Sequence, residues 1–127
     1  MSKKKTALNF DRRGGVIVIS RAMREKSVYQ DMTSVSKVLM DLMQMQWKPY
    51  APVSYGVREA AAKIRCTKNT ASKSFNELIE RGFIVCFEQS LFNSRTGSRT
   101  RDWRLTWMPF DGKDPTHDWE RWRPEKK

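Results

Sequence analysis

Histidine occurs once in this chain, at His117, and cysteine twice, at Cys66 and Cys86. A structural zinc site takes about four ligands of these types, and neither cysteine sits in a CxxC pair, so no metal is expected. Two thiols are also too few for a disulfide framework. Both are expected to be reduced, as in a cytoplasmic protein, and nothing supports a Cys66–Cys86 bridge. Glycines are few, and Gly14-Gly15 and Gly97 match neither dinucleotide-binding nor P-loop spacing. His117 has Asp118 beside it but no serine or cysteine in a recognisable nucleophilic setting. Neither catalysis nor a cofactor is therefore expected. Long apolar runs are missing too. Nothing approaches the ~20 residues of a transmembrane helix, and no apolar stretch follows Lys3-Lys4-Lys5 as it would in a secretory signal. No membrane partner is expected.

Acidic residues are the remaining deficit: 14 Asp and Glu stand against 25 Lys and Arg, a net charge of +11. Such an excess favours polyanionic partners and says nothing about fold. Its placement is more informative. Residues 1–30 carry eight basic residues against two acids, residues 57–81 six against three, and residues 82–110 four against two. The segments 31–56 and 111–127 are balanced, so the excess is concentrated where a phosphate-binding surface would need it. A length of 127 residues with 39% hydrophobic content suits one domain with a real core.

Along the chain, residues 1–15 read as a basic flexible arm. Val16-Ile17-Val18-Ile19 is β-branched and apolar, expected as a strand or extended segment docked on the core. Ser20 and Ser27 suit the caps of short helical turns over 21–25 and 28–32. Thr33 or Ser34 opens the strongest helix. Its buried stripe is expected from Val35, Val38, Leu39, Leu42 and Met43, broadened by Met40, Met45 and Trp47. Pro49 and Pro52 end it, and Val53-Ser54-Tyr55 reads as a small strand.

The most informative stretch runs from Val57 to Ile84. Val57, Ala60, Ala61 and Ile64 fall at i, i+3, i+4 and i+7, the apolar stripe of one helix; Ala71, Phe75, Leu78 and Ile79 repeat the pattern in a second. Thr67 suits the N-cap of the second helix, and Gly82 the left-handed position past its end. Lys68, Asn69, Thr70, Ser72, Lys73 and Asn76 are left on its outer face, with Glu77 and Glu80 further along. A helix-turn-helix presents such a face to the major groove. Next come a strand over Ile84–Glu88, the basic loop 93–100, and a strand over Arg101–Trp107. The order helix, helix-turn-helix, β-hairpin is that of a winged helix. The expected fold is α+β, mainly α: a three-helix core plus a two- or three-stranded β-wing over residues 16–108. The arm 1–15 precedes it and a tail rich in Trp and Pro, 109–127, follows. In that tail Thr116 suits the cap of a turn over 117–122. Trp119 and Trp122 share one side of it, expected to dock on the body rather than to form a patch for a protein partner.

Residues 16–122 resemble a family of small bacterial winged helix-turn-helix proteins, common in proteobacterial chromosomes and mobile elements. The resemblance lies in Ser54-Tyr55, Arg58-Glu59-Ala60-Ala61, Lys68-Asn69-Thr70-Ala71, Glu77-Leu78 and Arg81-Gly82-Phe83-Ile84. It continues through Trp103-Arg104-Leu105-Thr106-Trp107-Met108-Pro109 and Pro115-Thr116-His117-Asp118-Trp119. It implies a winged-helix fold and DNA binding, and identifies no operator.

The residue chemistry assigns roles on double-stranded DNA. Asn69 and Asn76 are expected to read base edges, because an amide donates to and accepts from adenine at once. Thr70 and Ser72 suit phosphate or base, and Lys68 and Lys73 suit phosphates. Arg58 and Lys63 are placed to grip the flanking backbone. Arg95, Arg99 and Arg101 in the wing are placed for phosphates or a narrow minor groove. Transcription regulation is the expected role, with plasmid or phage replication initiation and a protein-binding or inhibitory module as alternatives. The stripe with Val35, Leu39, Leu42 and Met43 serves either the monomer core or a homodimer contact.

Overall fold

In the computed structural model, which describes residues 9–89 and 101–124, helices come first and most of the sheet comes late. The helices are α1 (Arg21–Arg24), α2 (Ser27–Gln30), α3 (Ser34–Met45), α4 (Val57–Ile64) and α5 (Lys68–Glu80). The strands are β1 (Val53–Ser54), β2 (Ile84–Gln89) and β3 (Arg101–Leu105), and a 3-10 turn spans Asp118–Arg121. The fold is α+β and mostly helical, with an antiparallel sheet in the order β1-β3-β2. Thr33 fixes the start of α3: its backbone is extended and its hydroxyl accepts the Ser36 N–H at 3.2 Å.

The core forms where three helices meet the sheet. Leu39, Met40 and Met43 of α3, Ala60 and Ala61 of α4, and Ala71, Phe75 and Leu78 of α5 are buried with Val53, Ile84, Trp103 and Leu105. The small alanines leave α4 and α5 room to approach. Phe75 stacks on Trp103 with ring centroids 5.4 Å apart, fixing α5 against β3. The Trp103 indole N–H donates to the Tyr55 carbonyl at 3.0 Å, so the buried ring has its polar partner. Register sets Val53 opposite Trp103 and Ile84 opposite Leu105, and the β2–β3 ladder slips by one residue between Cys86 and Glu88.

Several local expectations shift. On α3 the buried face includes Ser36 and Gln44, whereas Val38 and Met45 are exposed. Gln44 donates to the Val18 carbonyl at 2.7 Å and accepts from the Trp107 indole at 3.1 Å, so both ends of its amide are satisfied. Val16–Ile19 is extended but joins no strand, and Val16, Val18 and Ile19 are exposed. Ile17 is half-buried, and the Gln44 bond to the Val18 carbonyl ties this segment to α3. Ser20 caps α1 as expected, but Lys26 precedes α2 and no side chain caps that helix. Ile79 is exposed as well, and β3 ends at Leu105.

The tail returns to the body. Gly82 has φ +84°, and the backbone of Asp118 and Trp119 lies directly over it. Trp119 is buried and stacks on Phe83 at 6.1 Å, and its indole N–H donates to His117 Nδ1 at 3.1 Å. The His117 N–H donates to the Thr106 carbonyl at 2.8 Å. Thr116 does not cap the turn. The residue before it is His117, itself left-handed, and no side chain caps there. Trp122 is half-buried beneath the Arg81 guanidinium, 4.4 Å from its ring centroid. Both tryptophans are thus engaged within the chain, and the pair does not make a free patch for a protein partner.

Candidate nucleic-acid interface

The turn between α4 and α5 is built from two opposite backbone demands. Arg65 ends α4 in the left-handed region (φ 69°, ψ 52°), and the N–H groups of Arg65 and Cys66 both reach the Ala61 carbonyl, at 2.8 and 3.1 Å. Two residues on, Thr67 is extended, and its hydroxyl accepts the Thr70 N–H at 3.1 Å to start α5. The chain therefore reverses within three residues and lays α5 across α4.

With Ala71, Ser74, Phe75 and Leu78 turned inward, the opposite side of α5 faces out. Lys68, Asn69, Lys73 and Asn76 are exposed, and Ser72 is half-buried. Among the described residues none of these five side chains has a hydrogen-bond or ion-pair partner. Positions 68, 69, 72, 73 and 76 follow the helical repeat, so they form one face. Arg58 is exposed and lines a shallow recess of about 510 Å³ with Ala61, Ala62, Cys66, Thr67 and Lys68. Lys63 is exposed and stands 4.0 Å from Glu59, a weak i,i+4 pair. Arg101 is exposed at the start of β3, its guanidinium 6.0 Å from the Trp103 ring. Arg95 and Arg99 lie outside the described residues.

Two assignments need correction. Thr70 is half-buried, and its hydroxyl accepts from Thr67 at 3.0 Å, so it belongs to the cap rather than to the open face. Glu77 is not on the outer face. It accepts from the Thr33 N–H at 3.3 Å, the Thr33 hydroxyl at 3.1 Å and the Ser36 hydroxyl at 2.5 Å, and faces Arg81 at 3.7 Å. Its negative charge is thereby removed from the cationic surface and used to fasten α5 to the start of α3. Glu59 and Glu80 are the exposed acids of the two helices.

The residue that sequence reasoning passed over is Arg65. Its charge enters the segment tally, but only the positive φ shows that this arginine holds a position suited to glycine. At the foot of α4, burial first and the nearby Glu59 carboxylate second push the Tyr55 phenol above its ordinary value of 10.0. Among the described residues its hydroxyl has no hydrogen-bond partner.

Chemically, the α5 face offers amides that donate and accept, next to ammonium groups on flexible stems. That is a set able to touch base edges and phosphates together. Among the described residues no helix is long and apolar enough to cross a membrane. No family model, curated protein or solved structure matches this chain.

Proposed function

We propose that this chain is a winged helix-turn-helix protein that binds double-stranded DNA and regulates transcription in a bacterium or mobile element. One observation carries the reading: the exposed side of α5 holds Lys68, Asn69, Lys73 and Asn76 with no partner among the described residues, while the opposite side is sealed in the core. The element order α3, β1, α4, α5, β2, β3 and the sheet order β1-β3-β2 support it, as does the resemblance of residues 16–122 to small bacterial winged-helix proteins.

In this reading the N-terminal half of α5 enters the major groove. Asn69 and Asn76 read base edges, and Lys68, Lys73, Arg58 and Lys63 hold flanking phosphates. The β2–β3 hairpin is the wing, and Arg95, Arg99 and Arg101 approach the backbone or the minor groove. Ser72 contacts either base or phosphate.

Selection of bound sequences from a random duplex pool tests the proposal, followed by a salt titration on the enriched site. If about four to six phosphates are neutralised, log K falls against log salt with a slope of roughly −4 to −5. Failure to enrich any sequence, together with a flat salt response, would refute it.

A further inference from the structure

Left-handed backbone is ordinarily given to glycine or asparagine, because a Cβ crowds the neighbouring carbonyl. At the end of α4 the chain uses arginine instead, with φ 69° and ψ 52°. The bonding there, with the Cys66 N–H reaching back five residues to the Ala61 carbonyl, is the closure that glycine serves best. Among the described residues no side-chain contact compensates the choice. Arg65 is exposed, and its guanidinium has no hydrogen-bond, ion-pair or ring partner among the described residues. A side chain that costs backbone strain and contributes no internal contact points to a use outside the molecule.

The surroundings say what kind of use. Arg65 precedes Cys66 and Thr67, which line the recess shared with Arg58 and Lys68. No carboxylate lies within ion-pair distance of Arg58, Arg65 or Lys68 among the described residues, whereas Lys63 has Glu59 and Arg81 has Glu77. Arg58 and Lys68 thus share one recess unneutralised, and Arg65 adjoins it in sequence. Guanidinium groups suit phosphate oxygens in particular, because their planar fork donates two parallel hydrogen bonds.

We infer that Arg65 is a phosphate contact of the interface, retained at the expense of backbone strain. It binds a DNA backbone phosphate beside the α4–α5 turn and contributes affinity without reading sequence. This rests on the DNA-binding reading of α5.

The test uses three variants of the full chain, Arg65→Gly, Arg65→Asn and Arg65→Lys, measured for thermal midpoint and for binding to the selected duplex and an unrelated one. Glycine and asparagine both tolerate left-handed backbone and remove the charge. Both are expected to keep or raise the thermal midpoint while binding about five- to tenfold more weakly, by a similar factor on both duplexes. Their salt slope should be smaller by about one. Arg65→Lys should keep the wild-type slope. Wild-type affinity and slope in the Gly and Asn variants would overturn the inference while leaving the DNA-binding reading intact. A lower thermal midpoint in both would overturn the claim that arginine is held there at a cost. A wild-type chain with no salt-dependent binding would instead overturn the reading of α5 itself.

Discussion

Replacing Gly82 by alanine should destabilise the protein through two additive causes and one shared neighbour. A Cβ at φ +84° costs about 1–2 kcal/mol as left-handed strain. The same Cβ would lie 2.9 Å from the carbonyl carbon and oxygen of Asp118 and 3.0 Å from the Trp119 nitrogen. These are backbone atoms, so no rotamer change relieves the clash and the 3-10 turn must retreat. Retreat loosens the Trp119–Phe83 stack and the His117–Thr106 hydrogen bond, for about 1–2 kcal/mol more. The expected total is about 2–4 kcal/mol, with an unchanged urea m value. Equilibrium urea unfolding of Gly82→Ala, Trp119→Ala and the double variant separates the causes. Trp119→Ala alone should cost about 3–5 kcal/mol. The double should cost less than the sum by more than about 0.5 kcal/mol, because a turn freed of its indole can move aside. A loss below about 0.5 kcal/mol in Gly82→Ala, or strict additivity in the cycle, would refute the account.

Other expectations follow from single contacts. Tyr55→Phe removes a buried hydroxyl with no partner among the described residues, and should leave stability equal or raise it by up to about 1 kcal/mol in urea unfolding. Because the folded state raises the Tyr55 pKa, its contribution is fully present below the ordinary value of 10.0 and is lost as pH climbs above it. Unfolding at pH 8 and pH 11 should therefore show a smaller alkaline loss in Tyr55→Phe than in the wild type. Glu77→Gln keeps the shape but weakens three charge-assisted hydrogen bonds from Thr33 and Ser36, for about 1–2 kcal/mol in the same assay. Asn76→Ala should cost about 1–3 kcal/mol of affinity at one base position and relax preference there, as read by repeating the duplex selection. Equal loss at every position would remove it from base reading.

Periodicity located α4 and α5 well because their burial follows from local pattern alone: alanines and one aromatic at helical spacing, a threonine cap, a glycine exit. It misplaced the α3 face because Ser36 and Gln44 are polar, and polar residues are read as outward. Their partners are Glu77, Val18 and Trp107, which lie 26 to 63 residues away in the sequence. No one-dimensional pattern carries that information. Val16–Ile19 takes the extended alternative: its β-branched run satisfies every local criterion for a strand, but the segment pairs with none of the three strands. On α5, residue type and spacing were enough to place Lys68, Asn69, Lys73 and Asn76 on the exposed face. The inward turn of Glu77 and the left-handed Arg65 depend on tertiary bonding and backbone geometry, and were not legible.

The two halves of α5 do different work, and a pair of substitutions should separate them. Its C-terminal half is knotted to the rest of the fold. Glu77 holds the start of α3, and Arg81, the residue just past the helix, donates to the Val28 carbonyl at 2.8 Å and lies over Trp122 at 4.4 Å. Lys68, Asn69 and Lys73 in its N-terminal half, and Asn76 just beyond on the same face, have no partner among the described residues. Rigid anchoring of one end holds the other end in a fixed pose, which is what a docking surface needs. Arg81→Ala should therefore cost about 2–3 kcal/mol of stability, since it removes the ion pair with Glu77, a hydrogen bond and a ring contact. Lys73→Ala should stay within about 0.5 kcal/mol of wild-type stability, as an exposed position does. In binding the order inverts: Lys73→Ala weakens every duplex alike, and folded Arg81→Ala keeps the wild-type salt slope. If Lys73→Ala unfolds the protein, or Arg81→Ala lowers the slope as Lys73→Ala does, the division of α5 into an anchoring half and a contacting half is wrong.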